Sequence, residues 1–279
     1  PEDISYLLFN KELPTSEQSA QIRSELAQRA TIPGDLESVL HALPTTGHPM
    51  DWLSVGIHAL GMIETTNDWR SDAMNLIARM PRLMGLVFRI REGRTENIPA
   101  DDPDASLVDR FVNTLDLDGI DKEKMTRVIS TYLVLHMDHG GGNLSTFTGK
   151  AIASGHATIY SAMAGAMNAL SGPLHGRANQ SCLEFVLRVG TSDAAKVEAF
   201  VRAELAAKRP VFGFGHAVLR TEDPRATAQF ALGEEICPED ENFKIIKTLR
   251  EVAPRVLSEN PKISNPNANV DIASGALLH

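Results

Sequence analysis

Apolar residues recur along most of this chain with the spacing of one helix face. "VEAFVRAEL" sets Val197, Phe200, Val201 and Leu205 three and four residues apart, and "FKIIKTLREVAPRVL" repeats the pattern with Phe243, Ile246, Leu249, Val252 and Val256. That spacing stacks side chains on one stripe of an α-helix. Residues 50–63, 67–92, 104–117 and 121–137 carry the same period. Pro81 is expected to kink or split the second of these, because proline lacks an N–H and its ring crowds the preceding turn. "PTSEQSAQIRSELAQR" opens with Thr15 and, three residues on, Gln18, the signature of a capping box. Period-two alternation is nearly absent, aromatic residues make up only 5% of the chain, and hairpin dipeptides are scarce. The pattern predicts an all-α protein with about ten helices.

One predicted helix differs in kind. "IYSAMAGAMNALSG", residues 159–172, is rich in Ala, Gly and Ser, which let helix backbones approach closely. It reads as a buried core helix or as a tight helix–helix dimer interface.

Composition narrows the possibilities. The chain has 279 residues, 43% hydrophobic, with a formal net charge of −9. That is enough for a large core or two domains. The acidic balance argues against a nucleic-acid groove or an anionic membrane surface, though not against a local basic site for an anionic small molecule. The longest strongly apolar run, Leu83 to Phe88, is flanked by Arg82 and Arg89 and is too short to span a bilayer. Two cysteines, Cys182 and Cys237, supply neither a disulfide framework nor metal-ligand spacing. The chain starts at Pro1 and ends in "SGALLH", where a helix reads as beginning, so a fragment of a longer protein is expected.

Four turn-rich loops carry the candidate chemistry. "LHMDHGGGNLS", residues 135–145, places His136 and His139 before Gly140, Gly141 and Gly142. Glycines there allow close backbone approach to a ligand or positive φ; a helix end with a solvated histidine is the plain alternative. His-x-x-His is a weak metal signal without a HExxH motif or a cysteine cluster, and no metal is expected. "GPLHGRANQ", residues 172–180, holds His175 in a Gly-Pro turn, which taken alone suits a structural turn. "VFGFGHAVLRTEDPR", residues 211–225, sets His216 after Gly213 and Gly215 and adds Arg220 and Arg225. Arginine forks suit carboxylates and phosphates. "NPNANVDIASG", residues 265–275, places Asp271 just before an apolar stretch, where helix N-capping is the simplest reading.

Together "HMDHGGGN", "GPLHGRANQ", "GFGHAVLRTEDPR" and "NANVDIASG" resemble the citrate synthase family in order and rough spacing. Weaker similarity runs through "LPTTGHPMDWL" and "RIREG". The resemblance implies condensation of acetyl-CoA with oxaloacetate followed by hydrolysis of citryl-CoA, an acyltransferase reaction of the tricarboxylic acid cycle in which the acyl group becomes an alkyl group. Residue by residue it implies that Asp271 takes a proton from the acetyl methyl, that His175 stabilises the enolate at the thioester oxygen, and that His216 polarises the oxaloacetate carbonyl. His139 and Arg225 resemble binders of the oxaloacetate carboxylates. Phe212, Gly213, Phe214, Gly215, Arg220 and Lys262 match positions that contact CoA. Ser145 matches the hydroxyl that orients His175, with Asn143 beside it.

The resemblance further implies a large helical domain over 1–176, a smaller one over 177–279, and a homodimer. Acetyl-CoA enters as cosubstrate, and no further cofactor, nucleic acid or membrane is expected. The location is cytoplasmic, or the mitochondrial matrix in a eukaryote. The family's chain returns to the large domain with two more arginines. That return is expected to be absent here, leaving this 279-residue chain weak or inactive. The alternatives are a 2-methylcitrate synthase using propionyl-CoA, a citryl-CoA-cleaving relative, or a non-catalytic helical dimer of the same fold.

Overall fold

Capping side chains start most of the helices. In a computed structural model that describes residues 1–279 apart from Asn67, His139, Leu174 and Ala217, Asp68, Ser106, Asp121, Asn143, Thr158, Asp193, Asp223, Asp240 and Asn269 each accept a backbone N–H from the first turn that follows. Each cap satisfies an amide that a helix start leaves without a partner. Thr15 and Gln18 form the expected reciprocal capping box.

Among the described residues there are fourteen helices and no strand, so the fold is all-α. In chain order they are α1 Glu2–Asn10, α2 Ser16–Arg29, α3 Gly34–His41, α4 Pro49–Glu64, α5 Trp69–Arg91, α6 Leu107–Leu115, α7 Lys122–His136, α8 Leu144–Ala153, α9 Ile159–Leu170, α10 Ala178–Val189, α11 Ala194–Ala206, α12 Pro224–Ile236, α13 Glu241–Ser258 and α14 Val270–Leu277. The excess over the expected number lies in short helices such as α1 and α3. A helix of two turns holds too few apolar repeats to stand out in sequence. The chain divides into two compact units, Pro1–His175 and Gly176–His279. No helix among the described residues is long and apolar enough to cross a membrane.

The first unit is built around α5, which packs against α2, α4 and α6. Contrary to the expected split, α5 runs unbroken through Pro81. A proline in a helix interior costs about 3 kcal/mol. Burial of Met74, Leu76, Leu83, Leu86, Val87 and Ile90 along the same helix, at roughly 1.5–3 kcal/mol for each large side chain, outweighs that cost. The small-residue helix α9 packs against α8 and α4. A Cβ added at Gly165 would fall 2.1 Å from Ile152 Cδ1 of α8, and Ser54 of α4 donates to the Ala164 carbonyl at 3.1 Å. The small residues therefore serve close packing inside this unit, although only Tyr160, Ala162 and Ala164 of α9 are buried, fewer than the core-helix reading expects.

The second unit surrounds Phe185, Val186, Phe230, Phe243, Ile246 and Leu249. Its α14 packs on α10, α12 and α13, which fixes the segment bearing Asp271. The helix starts at Val270, four residues ahead of the expected region, and Asn269 is its cap. Asp271 lies inside the first turn and is not the N-cap.

Candidate functional site

In the first unit, Asn143 caps α8 and organises a small polar cluster. Its Oδ1 accepts the Thr146 N–H at 2.9 Å and the Ser145 hydroxyl at 2.8 Å. The Ser145 backbone N–H donates to His175 Nε2 at 3.2 Å, and Ser145 Oγ lies 3.0 Å from the same nitrogen. A backbone amide can only donate, so Nε2 is an acceptor and the neutral ring carries its proton on Nδ1. The sequence grouping of Asn143, Ser145 and His175 is thus one cluster in space. His175 is also the last residue of its unit, and its own N–H donates to the Gly172 carbonyl at 3.0 Å. His139 lies outside the described residues. His136 sits over Tyr132, with Nδ1 2.6 Å from the Tyr132 carbonyl.

In the second unit, His216 is held from its own turn. Its Nδ1 accepts the backbone N–H groups of Val218 and Leu219 at 3.0 and 2.9 Å. The proton of the neutral ring is therefore on Nε2. The two histidines present opposite ring nitrogens as donors, and in each ring main-chain amides set the choice.

The loop around His216 is laced to the loop that leads into α14. Phe214 and Ala268 form an antiparallel bridge. Gly215 donates to the Asn267 carbonyl, and the Asn269 N–H donates to the Gly213 carbonyl, both at 2.9 Å. Asn269 Nδ2 donates to the Gly215 carbonyl at 2.9 Å. Gly213 and Gly215 have φ of 84° and 87°, which favours glycine. A Cβ at Gly213 would meet Ile272 Cβ at 2.6 Å and Cys182 Sγ at 2.8 Å. Phe212 and Phe214 pack against the core of the unit, so in this structure their side chains serve the fold. Arg220 is exposed and donates to the carbonyls of His216 and Leu219 at 3.4 and 3.0 Å. Lys262 is exposed, with its backbone N–H on Asn260 Oδ1.

Two carboxylates in this unit are driven in opposite directions. Burial pushes Asp271 above the usual carboxylate range; Arg225 partly offsets this, and Asp223 adds to it. Burial also raises Asp223, but side-chain and backbone hydrogen bonds from Arg225 outweigh it and hold Asp223 low. Asp223 is 1% exposed. It caps α12 through the Arg225 N–H at 3.0 Å and takes Arg225 Nη2 at 2.7 Å. The result is one carboxyl held below its usual range that orients an arginine and one held above it, close enough to feel both charges. Burial, with the Asp271 charge as a smaller cause, raises the Cys182 thiol well above its ordinary value, so it is held protonated. Among the described residues no three His, Cys, Asp or Glu side chains converge as a metal site.

Sequence reasoning missed Asp223, Asn265 and Asn269. Their signal was local, an aspartate before Pro224 and three asparagines in "NPNAN". Asp223 meets Arg225 within its own turn, whereas Asn265 and Asn269 reach carbonyls some tens of residues away, and no periodicity reports them.

The family model described as "Citrate synthase, C-terminal domain" matches residues 1–279. The mitochondrial 2-methylcitrate synthase of Yarrowia lipolytica is 36% identical over 300 residues, covering 100% of this chain and 63% of the relative. The mitochondrial citrate synthase 4 of Arabidopsis thaliana is 34% identical over 298 residues, covering 100% of this chain and 62% of the relative. The chain thus spans less than two thirds of the length of these relatives. The crystal structure of citrate synthase from Thermotoga maritima MSB8 superposes with a TM-score of 0.84 at 29% identity, covering 99% of this chain and 72% of that one. The Thermoplasma acidophilum enzyme, in a ternary complex with carboxymethyl coenzyme A and oxaloacetate, gives 0.85 at 25% identity, covering 99% and 72%.

Proposed function

Since the chain belongs to the citrate synthase family, we propose that the protein condenses acetyl-CoA with oxaloacetate and hydrolyses the resulting thioester to citrate and CoA. The observation that carries this reading is the pair of histidines whose tautomers are set by main-chain amides, together with a half-buried carboxylate held above its usual range. Carbon acids next to a thioester are weak. A carboxylate of raised basicity removes their proton usefully only if the charge that develops on the carbonyl oxygen meets a fixed donor.

In the proposed sequence Asp271 takes a proton from the acetyl methyl while His175 Nδ1–H donates to the thioester oxygen. His216 Nε2–H donates to the ketone oxygen of oxaloacetate and leaves its carbon electrophilic. The enolate carbon forms the new C–C bond to that carbon, and the ketone oxygen takes up a proton as it becomes a hydroxyl. Water then adds to the citryl thioester, the C–S bond breaks, and CoA leaves as a thiol. Arg225, aligned by Asp223, and His139 bind the carboxylates of oxaloacetate. Arg220 and Lys262, with the 212–215 loop, contact CoA. The reaction needs no metal or further cofactor. A homodimer is part of this reading, as is a mitochondrial matrix location in a eukaryote, after the mitochondrial relatives, or a cytoplasmic one otherwise.

The test is CoA-thiol release by the whole protein from acetyl-CoA and oxaloacetate. No release with either acetyl-CoA or propionyl-CoA would sink the proposal. A second reading, 2-methylcitrate synthesis from propionyl-CoA, is favoured by the 36% identity to the Yarrowia lipolytica 2-methylcitrate synthase. One methylene changes binding by only about 1–3 kcal/mol, so the ratio of kcat/KM for the two acyl-CoAs, measured side by side, decides between them.

A further inference from the structure

Asn265 is 3% exposed, and both ends of its amide are engaged. Nδ2 donates to the Leu219 carbonyl at 2.9 Å and reaches the Thr221 carbonyl at 3.4 Å. Oδ1 accepts the backbone N–H and the side-chain Nδ2 of Asn267, both at 2.9 Å. The two ends grip different segments. The nitrogen end holds the turn after His216, and the oxygen end folds the loop that reaches Asn269, the cap of α14, and then Asp271.

Leu219 is the link. Its carbonyl accepts from Asn265, and its N–H donates to His216 Nδ1. A donor on one side of this residue thus orients the amide on the other side that commits the His216 ring. Buried polar groups engaged at every position hold one geometry, and losing the Asn265 donor takes its contact from the Thr221 carbonyl and leaves the Leu219 carbonyl to the exposed Arg220 side chain.

We infer that Asn265 is a positioning residue, acting through Leu219 to keep His216 in the Nε2–H tautomer and to tie the His216 turn to the loop that carries Asp271. The inference rests on the proposed reaction for its kinetic consequence and on geometry alone for its effect on the ring.

The test uses the whole protein and two kinds of readout. Long-range ¹H–¹⁵N NMR of the histidine rings reports the tautomer without any assay of activity. The wild-type His216 ring is expected to carry its proton on Nε2. Asn265→Asp keeps the oxygen that serves Asn267 and, when ionised, removes the donors to Leu219 and Thr221. Asn265→Ser removes the same grip without a buried charge. Both are expected to raise the Nδ1–H population of His216 and to lower kcat by roughly 10²-fold, the scale of a small misplacement at a reacting centre. KM for oxaloacetate should change little, because a donor that acts chiefly in the transition state is lost from kcat. A wild-type ring protonated on Nδ1 overturns the inference, as do folded variants that keep both the wild-type tautomer and kcat. If neither variant folds, Asn265 serves the fold and not the ring, and the inference is overturned. A protein that releases no thiol from either acyl-CoA overturns the proposed reaction while the ring measurement still judges Asn265.

Discussion

His175 and His216 carry the same side chain and are held by the same kind of donor, yet they present opposite nitrogens. His175 gives its Nε2 to an amide thirty residues away, at the start of α8. His216 gives its Nδ1 to amides two and three residues on, inside its own turn. The first ring depends on a helix start packed correctly against a distant turn. The second depends on a local loop that other loops must hold in shape. In both cases the side chain takes its proton position from the main chain, which has no alternative tautomer.

Four experiments would break or sharpen that comparison. The largest effect is expected from Asp271→Asn, because in the proposed reaction both rings act only after a base has supplied the carbanion. Turnover in the thiol-release assay should fall by about 10²–10⁴-fold. Next, His175→Ala and His216→Ala should each cost about 10²–10³-fold in kcat. If the two rings act on one bond-forming step, the double variant should lose less than the product of the single losses.

Gly213→Ala tests the local half of the comparison. It combines strain at a φ of 84° with overlap onto Ile272 and Cys182. It should destabilise the unit containing His216 by about 1–3 kcal/mol, read as a lower thermal midpoint. Ser145→Ala should have the smallest effect. It removes the hydroxyl beside His175 and keeps the backbone N–H that sets the tautomer, so the expected loss is about 0.5–1.5 kcal/mol, or roughly two- to thirteenfold in kcat.

The half-buried Asp271 adds a pH dependence. Asp271 has a folded-state pKa above its unfolded value, so between the two the native state binds more protons than the unfolded chain. Stability then falls as pH rises through that window. Asp271→Asn should have the higher thermal midpoint above the window, and the difference should vanish below the ordinary carboxylate range. Asp223, held low by Arg225, should act in the opposite sense. Its contribution is present above its unfolded pKa and is lost as pH falls through its folded one.

Much of this was legible in sequence. The helical class followed from apolar spacing, and the Thr15 cap from two residues, Thr15 and Gln18, set three positions apart. The clustering of Asn143, Ser145 and His175 followed from the resemblance of two loops to one family. Three things were not legible. The passage of α5 through Pro81 depends on burial along the helix, which local propensity does not report. The start of α14 was misplaced because Asn269 lies in a loop whose asparagines all look alike until their partners are known. The His175 tautomer and the role of Asn265 rest on hydrogen bonds between segments far apart in sequence, and the His216 tautomer rests on the shape of its own turn; spacing carries no trace of either.

Cys182 sits at 0% exposure beneath Gly213, with its thiol kept protonated. Thiol reagents that follow CoA release should therefore pass it by in the native protein, since only an accessible thiolate reacts at speed. The same residue becomes a clock for the opening of its surroundings. The rate at which an alkylating agent captures it, followed by mass spectrometry, would measure how often the loop pair around His216 and Asp271 comes apart, without any label introduced into the chain.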